Sequence, residues 1–135
     1  MPSILIIDDE SDVRDSIKRV LERAGFAVRT IDDAANAVAE LRRVPADLVI
    51  TDMIMPIVSG VSVIEAIVQG FPAVRILAIS GGGNFDVARQ EPGDMVTSAY
   101  LTAAKNAGAH LALAKPFDSG ELLRAVESLM SAVPR

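Results

Sequence analysis

Ser3-Ile4-Leu5-Ile6-Ile7-Asp8-Asp9 is the stretch that decides how this chain folds. Its apolar run is unbroken, too short for a helix that buries itself, and lacks the alternation of a strand wetted on one face. Such a run reads as a strand covered on both sides. Two acids then end it. The pattern returns twice: Leu48-Val49-Ile50-Thr51 runs into Asp52, and Leu111-Ala112-Leu113-Ala114 runs into Lys115-Pro116. In an open parallel sheet, ligands bind in the crevice outside the carboxyl ends of the strands. The pattern therefore predicts that Asp8, Asp9, Asp52 and Lys115 meet in that crevice. Three carboxylates and one ammonium gathered there suit a divalent cation and a phosphoryl group.

Working outward, strand-like and helix-like segments alternate along the chain. The first strand spans Ser3 to Ile7. A helix from Ser11 to about Ala24 follows, with Ser11 as its expected cap, the stripe Val13, Ile17, Val20, Leu21 and Ala24, and Gly25 as its stop. Ala27 to Ile31 reads as a second strand, and Asp33 to Arg43 as an Ala-rich helix stopped by Pro45. Asp47 to Thr51 is the third strand, Val61 to Gln69 a helix, Val74 to Ile79 the fourth strand, and Val96 to Asn106 a helix ended by Gly108. His110 to Ala114 is the fifth strand. Asp118, with Glu121 three residues on, has the pattern of a capping box opening the last helix, whose stripe is Leu122, Leu123, Val126, Leu129 and Met130. Five β-α units in alternation predict an α/β fold with helices on both faces of a parallel sheet, in one domain over residues 1–135.

Composition narrows the chemistry. The chain of 135 residues is half apolar, long enough for a substantial core, and has no Cys, which excludes disulfides, thiolate metal sites and Cys nucleophiles. A lone His110 argues against a His-based zinc site. The net charge of −5, with Lys and Arg scattered, leaves no basic footprint for nucleic acid. No stretch has the pattern of a signal peptide or the length of a membrane span, so a cytoplasmic protein is expected.

Taken together, Ile6-Ile7-Asp8-Asp9-Glu10, Asp47 to Pro56, Ser80, Gly108-Ala109 and Lys115-Pro116-Phe117 resemble the response-regulator receiver domain of bacterial two-component signalling. The resemblance covers essentially the whole chain and rests on all the motifs in the family's order. It implies a flavodoxin-like, doubly wound (βα)5 fold with a five-stranded parallel sheet in the order 2-1-3-4-5. By the same resemblance Asp52 is the phosphoacceptor. Mg²⁺ is held directly by Asp9, Asp52 and the backbone carbonyl of Ile54, and through water by Asp8. Lys115 pairs with the phosphoryl oxygens, and Ser80 donates its hydroxyl to them. The expected phosphodonor is a sensor histidine kinase or a histidine phosphotransfer protein, and the signal leaves by protein–protein contact, without nucleic acid or membrane. The cation has a physical reason, since crowded carboxylates repel an incoming phosphate and a hard cation with oxygen ligands offsets that.

The sequence departs from the family at three places, one of them Ile54, whose side chain cannot hold an attacking water by hydrogen bonding. The position three residues before the lysine, usually Tyr or Phe, is Ala112, which is too small to act as a rotating aromatic switch. The stretch from Ser80 to Gly108, with Gly81-Gly82-Gly83 and Pro92-Gly93, is roughly a dozen residues longer than is usual, and long loops are commonly functional or mobile. No output domain is visible. The expectation is a stand-alone phosphoacceptor, with an N-terminal receiver of a larger regulator or a phosphorylation-independent interaction module as alternatives. A haloacid-dehalogenase-type phosphatase would need a second Asp where Ile54 stands, and a flavin site is poorly served by one Tyr and no Trp.

Overall fold

A computed structural model describes residues 3–53, 60–80, 102–114 and 117–131. Five strands form one parallel sheet: β1 (Ser3–Ile7), β2 (Ala27–Ile31), β3 (Leu48–Asp52), β4 (Arg75–Ser80) and β5 (Leu111–Ala114). Their order is β2-β1-β3-β4-β5, as the resemblance implies. The helices are α1 (Ser11–Arg23), α2 (Ala37–Arg43), α3 (Gly60–Gly70), α4 (residues 102–107) and α5 (Ser119–Ser131). The remainder of the helix expected from Val96, and the segment 81–101, lie outside the described residues.

The unbroken apolar runs serve two faces because strand side chains alternate. Ile4, Ile6, Leu48, Ile50, Leu77 and Ile79 pack with Ile17 and Leu21 of α1 and with Leu122, Val126 and Leu129 of α5. Leu5, Ile7, Val49, Ile76 and Ala78 pack with Leu41 of α2, with Val63, Ile64 and Ile67 of α3, and with Ala104 of α4. Burying an Ile or Leu side chain fully is worth about 1.5–3 kcal/mol, so these two layers dominate the stability. Phe26 and Phe117 are partly buried and pack against the first layer. Ala112 packs on the second layer, beside Ala78 in register.

Helix ends follow their local chemistry, with two adjustments to the sequence reading. Ser11 is the first helical residue of α1 rather than its cap; Glu10 holds that position in an extended conformation, without a side-chain capping bond. The helix expected from Asp33 opens as a 3-10 turn, Ala34–Asn36, because Asp33 accepts the Ala35 N–H and the Asn36 side-chain amide. The capping box is present: Asp118 Oδ1 accepts the Glu121 N–H at 2.7 Å, and the Asp118 N–H donates to Glu121 Oε1 at 3.1 Å. Gly25 and Gly108 both end helices at positive φ, +100° and +124°. In each, the next residue's N–H reaches back five positions in a Schellman pattern, Phe26 to Leu21 and Ala109 to Ala104. On the surface, Arg29 of β2 and Arg43 bind Glu40 of α2 at 2.9 and 2.7 Å. Those bonds, Arg43's foremost, hold the Glu40 carboxyl below the usual carboxylate range.

Gly108 carries a second constraint. A Cβ there would lie 2.7 Å from Val68 Cγ2 on α3. Gly108→Ala is therefore expected to lose at least 1–2 kcal/mol, from left-handed backbone strain plus the clash. Adding Val68→Ala should recover only the clash. Denaturant melts of the two single variants and the double variant check this, and equal stability of Gly108→Ala and wild type would refute it.

Candidate metal and phosphoryl site

Asp8 and Asp52 occupy the carboxyl ends of β1 and β3, which pair directly, with Ile7 opposite Thr51. Asp52 is the last residue of β3, one position beyond the expected strand end. Both side chains sit almost wholly out of water, at 2 % and 5 % exposure. The backbone around them is tightly held. The Asp8 N–H donates to Ile31 O of β2 at 3.3 Å, and Arg14 of α1 donates from its guanidinium to the Asp8 carbonyl at 2.8 Å. The Met53 N–H donates to Ile79 O at 2.9 Å, which fixes the chain just past Asp52.

The third acid of the group is Glu10. Carboxylate oxygens of Asp8, Glu10 and Asp52 all lie within 4.8 Å of one another. Asp9 is exposed and does not join them. The cause is local. Glu10 is extended, with φ −96° and ψ 115°, and its N–H donates to Asp8 Oδ1 at 2.9 Å. That bond closes a turn through Asp9, which bends the chain and returns Glu10 to the side of Asp8. The signal was present in the acid run Asp8-Asp9-Glu10, but its use requires the backbone direction at the strand exit.

Ser80 ends β4, opposite Ala114 in register with β5. Lys115, Pro116 and Ile54 lie outside the described residues. An open depression of about 550 Å³ runs along β2 and α2, lined by Arg14, Asp32, Asp33 and Glu40 among others. It shares Arg14 with the acidic group's surroundings but includes none of the three acids. Three oxygen donors within this spacing fit a hard cation, which prefers carboxylate oxygen and retains waters. Without one, carboxylates this close repel each other in a site with little water.

His110 stands at the opposite end of the sheet. Its N–H donates to Ile76 O at 2.9 Å, and its Nδ1 accepts the Ile76 N–H at 3.1 Å. That bond requires an unprotonated Nδ1, so the neutral ring with hydrogen on Nε2 is the form that fits. Loss of hydration pushes the His110 pKa below 6.5, and the Arg75 charge adds to this. The unfolded chain then takes up its proton at higher pH than the folded one, so the His110 contribution weakens stability as pH falls from about 6.5 through the depressed folded pKa. His110 being the only histidine, its ring proton resonances should titrate below 6.5 and in step with the Ile76 amide. Titration above 6.5 would refute the assignment.

A family profile described as the response regulator receiver domain matches residues 4–91. The chain belongs to the response regulator receiver domain family. The transcriptional regulatory protein PrrA of Mycobacterium leprae is 34% identical over 129 residues, covering 96% of this chain and 50% of PrrA. The chain thus spans half the length of that regulator. The response regulator receiver protein CpdR of Brucella abortus is 28% identical over 132 residues, covering 98% of this chain and 99% of CpdR. A response regulator receiver domain protein from Clostridium thermocellum, solved by crystallography, superposes with a TM-score of 0.79 at 28% identity, covering 97% of this chain and 95% of that one. Receiver domains are signalling modules of two-component systems that work with histidine kinases or phosphotransfer proteins. Among the described residues, no helix is long and apolar enough to cross a membrane.

Proposed function

We propose that this receiver domain accepts a phosphoryl group on Asp52, with Mg²⁺ held by the acidic group, and acts in the cytoplasm through protein contacts. The observation that carries the reading is the pair of nearly buried carboxylates, Asp8 and Asp52, at the ends of adjacent parallel strands with Glu10 within 4.8 Å. A nucleophilic carboxylate needs an electrophile brought in line and charge neutralised around it. Bound Mg²⁺ supplies that neutralisation for the incoming phosphate. Asp52 presents the attacking oxygen, Lys115 and Ser80 take the remaining phosphoryl oxygens, and the Ile54 carbonyl completes the ligand set. The phosphodonor is a histidine kinase or a histidine phosphotransfer protein, and the output is recognition by a protein rather than by nucleic acid. Mg²⁺-dependent mass gain with acetyl phosphate tests this; a chain that gains no phosphoryl mass refutes it.

The family pattern gives Asp9 a direct ligand place, while the geometry favours Glu10. Loss of a carboxylate ligand should weaken Mg²⁺ about tenfold or more, since even outer-shell changes cost 10–100-fold. If Asp9 is the ligand, Asp9→Asn shows that loss and Glu10→Gln binds near the wild-type level. If Glu10 is the ligand, the order reverses. Mg²⁺ titrations followed by amide shifts decide between them.

A further inference from the structure

The peptide plane joining Asp52 to Met53 is held on both edges. Its N–H donates to the Ile79 carbonyl of β4 at 2.9 Å. Its carbonyl accepts the Thr51 hydroxyl at 3.1 Å. Because the peptide unit is planar, bonds on its two edges fix its orientation. They thereby fix the backbone on which the Asp52 side chain stands and the direction in which the chain leaves β3.

Thr51 is wholly buried. Its neighbours in register are Ile7 and Ala78, both in the apolar layer that includes α2 and α3 residues. Valine has nearly the same shape and would fill that space without taking a hydroxyl out of water, which costs free energy. Packing alone therefore disfavours Thr at this position. The one thing the hydroxyl adds is a bond to the residue whose carboxylate belongs to the acidic group.

We propose that Thr51 is a positioning residue for Asp52. Its hydroxyl holds the Asp52–Met53 peptide so that the carboxylate keeps its place beside Asp8 and Glu10 as the phosphoryl group arrives. Thr51 touches neither cation nor phosphate in this role, and the inference rests on the phosphoacceptor reading of Asp52.

The test uses the full chain as wild type, Thr51→Val, Thr51→Ser and Asp52→Asn. Phosphoryl mass gain is followed over a range of acetyl phosphate concentrations with Mg²⁺, and thermal melts are run in parallel. Thr51→Val should melt within a few degrees of wild type yet be labelled about tenfold or more slowly, because small displacements of a reacting group carry large rate penalties. The loss should fall on the maximal rate rather than on the concentration dependence. Thr51→Ser, which restores the hydroxyl, should regain most of the rate. Labelling of Thr51→Val at the wild-type rate, or of Thr51→Ser as slowly as Thr51→Val, overturns the inference while leaving the phosphoacceptor reading intact. Should valine unfold the chain, Thr51→Cys takes its place under the same criteria, a thiol being a weak donor. A wild type that gains no phosphoryl mass, or an Asp52→Asn variant that gains it equally, refutes the phosphoacceptor reading and this inference with it.

Discussion

Asp52→Asn is expected to abolish Mg²⁺-dependent phosphoryl labelling and, in the presence of a chelator, to raise the melting temperature. The first effect follows from chemistry: the amide keeps the shape of the side chain but removes the anionic oxygen that would attack. The second follows from charge. Asp8 and Asp52 are nearly buried, and their oxygens lie within 4.8 Å of each other and of Glu10. Two unit charges at such a distance repel by a few kcal/mol at an effective dielectric constant of about 20. Glu10 is exposed, so its share is discounted for solvent screening, and the further interactions that Asp8 and Asp52 make offset part of the repulsion. A net gain on the order of 1 kcal/mol remains, or roughly 3–6 °C for a chain of this size. Saturating Mg²⁺ should reverse the order, because a ligand at 100 times its Kd adds about 2.7 kcal/mol to the form that binds it. Labelling of Asp52→Asn, or a wild type that melts above it without metal, would contradict this account.

How much of this is legible in the sequence depends on which interactions are local. The runs Ile4 to Ile7 and Leu48 to Thr51 carry their own message, because a strand buried on both faces has no polar positions to alternate. Asp8 and Asp52 were readable for the same reason, being the first charges after such runs. The capping box of Asp118 and Glu121 is also local, with both partners within one turn. Glu10 was harder, since its membership depends on the turn at the strand exit rather than on composition. The cap of α1 fell to Glu10 instead of Ser11 because the Asp8 turn sets where helical geometry starts. Two further features needed the tertiary arrangement. The approach of Gly108 to Val68 joins α3 to a turn far along the chain, and the His110 ring bonds an amide of the neighbouring strand. The role of Thr51 was hidden because a buried Thr in a strand is unremarkable until its acceptor is known.

Ile50→Ala is expected to be the most destabilising of these substitutions, at about 2–5 kcal/mol. Ile50 lies on the central strand, 1 % exposed, between Ile6 and Leu77 in register. Both neighbours are held by ladders on either side, and α1 and α5 close the layer above them. The cavity left by the lost side chain can therefore collapse only partly, which places the cost toward the upper half of that range. Against a total of roughly 5–15 kcal/mol for a domain, this is a large fraction, and melting should fall by about 10 °C or more. Val44→Ala, at a position 37 % exposed, should change stability by no more than about 0.5 kcal/mol. Ile50 stands only two residues before Asp52, yet the peptide after Asp52 is fixed by Thr51 and Ile79 and not by the Ile50 side chain. Below its melting range, Ile50→Ala should therefore be labelled near the wild-type rate. Thr51→Val should do the opposite, keeping its stability and losing its rate. That crossed pattern separates the packing that makes the sheet from the hydrogen bonding that aims its carboxylate; an Ile50→Ala protein that melts within 2–3 °C of wild type, or one that folds but cannot be labelled, would show that the two are not separable.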